Sequence, residues 1–221
     1  MNNVVIFGVG DYAQVASVYL RKDSPYNVCA FTVHEEYIRD RTLLGLPVVP
    51  FETLARSHPP EDFAMLVAVG FRRVNRLRAD LFAQGRGAGY AFIKYVCSNA
   101  TVIDDVTLGD NSFVFENNVI QPFASIGENA VLWSGNHIGH HACIGDHCFI
   151  ASHAVISGNV HIEPFSFIGV NATLREGVRV GRGSIIGAGA LVNRDVPAET
   201  VLRGPEGVTD PRPSSSIRSF Q

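Results

Sequence analysis

Ile138-Gly139-His140-His141-Ala142-Cys143-Ile144-Gly145-Asp146-His147-Cys148-Phe149-Ile150 decides the fold, because its isoleucines stand six residues apart. Counting by sixes toward the N-terminus gives Leu132, Ile126, Ile120, Val114, Leu108, Val102 and Val96. Counting the other way gives Ile156, Ile162, Ile168, Leu174, Val180, Ile186 and Val192, with no insertion to shift the register. Four residues after each lies a mostly small side chain: Ala100, Ser112, Ala124, Ala130, Ala142, Cys148, Ala154, Ser166, Ala172, Ser184, Ala190. Glycine recurs one residue after, at 109, 127, 139, 145, 169, 181 and 187. A period of six fits neither an α-helix, which repeats near 3.6, nor a plain strand, which repeats at about two. It is the pattern of a parallel β-helix. Each six residues make one strand and one corner, and three such units close one coil of a triangular prism. Each aliphatic side chain buried inside it contributes roughly 1.5–3 kcal/mol before entropy is subtracted. No coil is stable alone, so the run is long and needs capped ends.

The 221 residues carry a net charge of −3, with no basic excess that would suggest nucleic acid or a membrane surface. Cys29, Cys97, Cys143 and Cys148 form no CxxC pair and read as reduced core residues of a cytoplasmic protein. The chain enters a strand within a few residues, so no signal peptide is expected. No apolar run reaches the length of a membrane span.

Ahead of the coil, strands alternate with helices. Val4 to Phe7 is a buried strand, followed by Gly8-Val9-Gly10-Asp11-Tyr12-Ala13 and a helix with Asp11 as its expected N-cap. Asn27 to Val33 is a second strand, Leu46 to Pro50 an extended segment, Phe51 to Ser57 a short helix and Phe63 to Val69 a third strand ending at Gly70. Arg72 to Gln84 is helical by spacing, and Ala91 to Val96 reads as a last strand leading into the coil. This order predicts a small Rossmann-like parallel α/β sheet over residues 1–94, a β-helix over 95–200, and a capping segment with a mobile tail over 201–221.

Strand, glycine loop, helix presents backbone N–H groups and a helix dipole to a phosphate. The third glycine of the dinucleotide fingerprint is Ala13, and the second strand ends Val33-His34-Glu35 without an acid in the usual place. A nucleotide-linked ligand therefore competes with a plain tight turn that needs positive φ at glycine. Arg72, Arg73, Arg76 and Arg78 stand where they would meet a diphosphate, although a run of arginines on a helix is ordinarily a solvated face. Six of the eight histidines crowd one part of the coil: His137, His140, His141, His147, His153 and His161. His140, His141, His147 and His153 take the second or third place after an aliphatic, which points them outward near corners. Asn118 and Asn136 stack in neighbouring coils, beside Trp133. Imidazole accepts a proton near neutral pH, and such a base needs a partner to fix its tautomer, here Asp146 or His141.

The glycine-loop α/β segment, the unbroken hexads and the stretch His140 to Asp146 resemble the bacterial hexapeptide-repeat sugar acyltransferases. That family includes sialic acid O-acetyltransferases and N-acetyltransferases of nucleotide-linked 4-amino sugars, such as those of bacillosamine synthesis. The resemblance implies a left-handed β-helix, a homotrimer, and acetyl-CoA as cosubstrate in a groove between copies, with no metal. It implies acetylation of an amino or hydroxyl group on a nucleotide-linked sugar for surface glycans. His140 matches the family's general base, and His141 takes the place of the acid that follows it. Gly158 matches the glycine whose N–H meets the thioester carbonyl, and Val170 and Ala188 match backbone positions along the pantetheine arm. Phe149 stands where the family has a second histidine near coenzyme A. Gly8, Gly10, Asp11, Tyr12, His34, Gly70 and Arg72 fall on the sugar-nucleotide side, with Val33 and His34 replacing an acidic pair that addresses the base. The competing readings are an O-acetyltransferase acting on a free or sialic-type sugar, a trimeric zinc enzyme of carbonic anhydrase type, and a non-catalytic sugar-binding scaffold. For the zinc enzyme the expected H-x4-H pair is missing.

Overall fold

A computed structural model describes residues 2–216, so the end of the expected tail lies outside the described residues. Both regular patterns of the sequence appear in it, a small α/β region and a long parallel β-helix.

The α/β region contains β1 (Asn3–Phe7), α1 (Asp11–Asp23), β2 (Asn27–Val33), β3 (Thr42–Leu43), β4 (Leu46–Pro50), α2 (Leu54–Ser57), β5 (Ala64–Val67) and α3 (Arg76–Gly87). The sheet order is β3-β4-β2-β1-β5. The four longer strands run parallel, but β3 pairs antiparallel with β4 through Leu44-Gly45. The sheet is therefore mixed rather than wholly parallel, because Gly45 at φ 78° allows a tight hairpin. Val4, Val5, Ile6 and Phe7 are buried on both faces, as a central parallel strand requires.

In the β-helix each strand is two residues long, and three sheets of six, five and seven strands form the faces of the prism. Each strand pairs in parallel with the one eighteen residues on, as Val119-Ile120 does with His137-Ile138. From Val114 to Val192 the whole aliphatic row is buried, and the small row lies beside it. The glycine row has a different cause. A Cβ on Gly139 would stand 2.4 Å from the Gly158 nitrogen of the next coil. After Val192 the register shortens, so that Val196 pairs with Val180 and Val201 with Ile185, each sixteen residues on.

One feature of the corners is absent from the aliphatic and small rows. At every sixth residue from Asp105 to Gly189 the backbone has φ between 55° and 78°. Asparagine, glycine and histidine fill most of these places, residue types that enter the left-handed region at least cost. His141, His147 and His153 belong to this row.

The α/β region covers one face of the prism. There Tyr95, Phe113, Val131 and Phe149 point outward from the coil and are buried beneath it. Arg78 of α3 is wholly buried, and all its partners are oxygens of carbonyls or an amide: Asn129, His147, Cys148 and Gly70 backbone, and Asn75 Oδ1 at 2.9 Å. Burial lowers its guanidinium pKa to about 10. The expected diphosphate contact is excluded for this arginine. Helix α3 begins at Arg76 rather than Arg72, because Arg73, Val74 and Asn75 make a left-handed turn with φ 55°, 50° and 63°. Asn75 Nδ2 fixes that turn by donating to the carbonyls of Phe165 and Ser166. On the other side of the covered face, Tyr19 of α1 donates to Glu116 Oε2 at 2.8 Å. Of the four free cysteines only Cys97 and Cys148 are core residues, while Cys29 and Cys143 are half-buried.

Candidate active site

His140 stands on the corner between the strands His137–Ile138 and Cys143–Ile144. Its backbone is fixed from both neighbouring coils. The N–H donates to Gln121 Oε1 at 2.9 Å, and the carbonyl accepts from the Asn159 N–H at 2.9 Å. The ring lies over Gly158, where a Cβ would stand 2.7 Å from Nε2. Gly158 is thus the residue that makes room for the imidazole. Nδ1 of His140 is 3.2 Å from Nδ1 of His141, so one ring donates and the other accepts. His141 in turn packs on Phe123 at 4.8 Å and donates its backbone N–H to the Pro122 carbonyl. With Nδ1 occupied, the free nitrogen of His140 is Nε2, the one beside Gly158. Asp146 is not the partner of this base, because its Oδ1 accepts the Glu128 N–H on another corner.

The other histidines separate from this pair. His147 is half-buried between Phe82 and Phe165, and its Nδ1 accepts from Asn129 Nδ2 at 2.9 Å. Burial lowers its pKa. Asn118 and Asn136 do stack, but their amides are spent on the Phe115 and Trp133 carbonyls, on each other and on the Ala154 N–H. They hold the coil and face no ligand.

A second candidate place is the sheet edge at the C-terminal ends of β1, β2 and β5. Gly8 has φ 137°, and a Cβ there would be 2.6 Å from the Ala68 carbonyl oxygen. Gly10, not Asp11, is the N-cap of α1, with no side-chain cap and with open space where a Cβ would stand. The first-turn N–H groups of α1 are therefore free of a capping side chain, the arrangement that attracts an anion. His34, Gly70 and Arg72 lie on the loops of this same edge and Asp11 opens α1 there; Asp11 and Arg72 are exposed. Tyr12 turns away from it. Its ring packs edge-on against Phe113 at 5.9 Å, and its buried hydroxyl has no partner and a raised pKa from desolvation.

These two places are far apart within one chain. The α/β region occupies one face of the prism and its two flanking corners, through Tyr19 with Glu116 on one side and Arg78 with Asn129 and His147 on the other. His140 lies on the third corner. Gly158 shares that corner, whereas Val170 and Ala188 sit on the corner across the strands Val119, His137, Val155 and Leu191. That intervening face is uncovered, and Val119, Val155 and Leu191 are exposed on it.

The family model for the bacterial transferase hexapeptide, six repeats, matches residues 123–158 and 159–194. Residues 123–194 of the coil match bacterial transferase hexapeptide repeats. Solved structures share the fold over about nine-tenths of the chain, α/β region included. PerB from Caulobacter crescentus, in complex with CoA and GDP-perosamine, is 29% identical, with a TM-score of 0.82, 92% of this chain and 95% of that one being covered. The acetyltransferase domain of PglB from Neisseria gonorrhoeae, in complex with acetyl coenzyme A, is 26% identical, with a TM-score of 0.81 and coverage of 92% and 96%. WeeI from Acinetobacter baumannii is 23% identical, with a TM-score of 0.80 and coverage of 90% and 94%, a likeness of fold. Comparison with curated proteins gives no match. Among the described residues no group of three or more His, Cys, Asp or Glu is placed to hold a metal ion, and no helix is long and apolar enough to cross a membrane.

Proposed function

We propose that this protein transfers an acetyl group from acetyl-CoA to an amine of a nucleotide-linked sugar, with His140 as general base. The observation that carries the reading is the His140 ring held over Gly158 with its Nδ1 tied to His141, in a chain that shares its fold over 92% of its length with a structure holding CoA and GDP-perosamine. The sugar nitrogen attacks the thioester carbonyl carbon and passes its proton to His140 Nε2. The C–N bond forms, the C–S bond breaks, and coenzyme A leaves as the thiol after taking up a proton. No covalent enzyme intermediate is required. The Gly158 N–H stabilises the oxyanion of the tetrahedral intermediate. His141 is a positioning residue that fixes the tautomer, a role an acid would fill as well. An amine is preferred to a hydroxyl acceptor because one relative is the perosamine N-acetyltransferase of Caulobacter crescentus.

The working form in this reading is a homotrimer. A sugar bound at the glycine loop of residues 1–94 cannot reach the third corner of its own β-helix, residues 95–200. A neighbouring copy docked on the exposed Val119, Val155 and Leu191 face would supply that corner, and acetyl-CoA would lie between His140 and Gly158 of one copy and Val170 and Ala188 of the next. The segment that begins with Val201-Leu202, which pairs with Ile185-Ile186, would cap the coil. A soluble cytoplasmic enzyme of surface-glycan synthesis fits this substrate.

Thiol release from acetyl-CoA, followed with a panel of nucleotide-linked 4-amino sugars, tests the proposal. His140→Asn is expected to lower kcat by about 10²-fold or more, with the oligomer intact. Near-normal turnover in that variant removes His140 from the mechanism.

A further inference from the structure

His34, at the end of β2, is held by a carboxylate that arrives from a different element. Glu52 lies in the short turn Phe51–Thr53 after β4, and its Oε1 is 2.7 Å from His34 Nδ1. Its Oε2 accepts the Glu35 backbone N–H at 3.1 Å. The ring is also fixed by Phe7 and Phe51, edge-on at 5.8 and 5.6 Å. A carboxylate only accepts, so the proton between the two groups belongs to Nδ1. The Glu52 backbone N–H and then the His34 ring hold that carboxyl below its ordinary range, which keeps it an acceptor at neutral pH. With Nδ1 engaged by Glu52, Nε2 is the ring nitrogen left for a ligand, on a side chain that keeps 27% of its exposure.

His34 is one strand from the glycine loop, for the Gly8 N–H donates to the Thr32 carbonyl of β2 at 2.9 Å. Where a glycine loop of an open α/β sheet takes the phosphates, the end of the second strand meets the ribose, and the usual group there is an acid accepting the 2′-hydroxyl. Glu35, the residue after His34, is engaged by Arg41 at 2.9 Å. We infer that His34 Nε2 accepts the 2′-hydroxyl of a ribonucleoside diphosphate, with Glu52 as the positioning residue that fixes the tautomer. The inference rests on the reading of this edge as the nucleotide site. It makes the protein selective for ribonucleotides over their 2′-deoxy counterparts, a choice unrelated to the acyl donor.

Calorimetric titration of the full-length protein with UDP, GDP, dUDP and dGDP tests it. The ribonucleotides are expected to bind roughly fivefold or more tightly than the deoxynucleotides, the worth of one hydrogen bond. His34→Phe keeps the packing against Phe7 and Phe51, and is expected to bind all four alike at an unchanged melting temperature. Glu52→Gln, which frees the tautomer, is expected to narrow the ratio. A wild-type ratio near one overturns the inference while leaving the nucleotide site standing, and so does an unchanged ratio in His34→Phe. Failure to bind any of the four overturns the nucleotide site itself.

Discussion

His147 shows how a residue can look chemical in the sequence and be conformational in the fold. It sits in the left-handed row at φ 61°, under Phe82 and Phe165, with Asn129 donating to its Nδ1. Burial keeps it neutral in the folded protein. The unfolded chain therefore binds more protons, and stability falls as pH drops below the ordinary histidine value of about 6.5 toward the lowered native one. His147→Asn suits the same backbone and cannot titrate. Its denaturation midpoint is expected to change less between pH 7.5 and 5.5 than the wild type's, and an equal change would contradict the assignment. Six clustered histidines suggested a chemical centre, yet three of them are corner residues of the same kind as Asn129 and Asn159. The row of Asn, Gly and His at every sixth position is the signal in the sequence that separates them. His140, in the second place of its corner, remained legible, but its partner was not. Only the 3.2 Å Nδ1 pair chooses His141 over Asp146.

At the scale of elements, period six was readable because one strand and one corner consume a fixed number of residues. The α/β strands were readable as short apolar runs. The start of helix α3 and the β3–β4 hairpin are not legible in the sequence, because both depend on positive φ at non-glycine residues, Arg73 to Asn75 and Leu44. The left-handed Arg73–Asn75 turn is stabilised by Phe165 and Ser166, some ninety residues away, which no local pattern encodes. Arg78 is the fastening of that element. Arg78→Met leaves the Gly70, Asn129 and His147 carbonyls without a donor, while that of Cys148 keeps the Val131 N–H, and is expected to cost on the order of 3 kcal/mol in a denaturation experiment. Arg78→Lys is expected to recover little of it, since an ammonium cannot span carbonyls set for a planar fork. Gly8→Ala meets the Ala68 carbonyl at 2.6 Å, and is expected to lose about 2 kcal/mol. Gly10→Leu has open space and an ordinary φ of −78°, and is expected to fold like the wild type.

On the scale of the whole molecule, the prism has one face covered by the α/β region and one that carries exposed Val119, Val155 and Leu191. The proposed trimer buries the second against a neighbour. Val155→Arg is expected to shift the mass in sedimentation toward the monomer without loss of β-structure, whereas an unchanged mass would move the interface elsewhere. The sequence showed both the glycine loop and His140, but not that they lie on opposite sides of one chain. That separation follows from which face the aromatic side chains Phe113 and Phe149 draw the α/β region onto. The central claim, that base and sugar site meet only between copies, is tested most directly by mixing two inactive variants. His140→Asn lacks the base, and Gly10→Leu obstructs the nucleotide edge. Co-expressed and purified as mixed oligomers, the two are expected to regain a measurable fraction of wild-type acetyl transfer. Mixed oligomers that form but stay inactive would contradict the account.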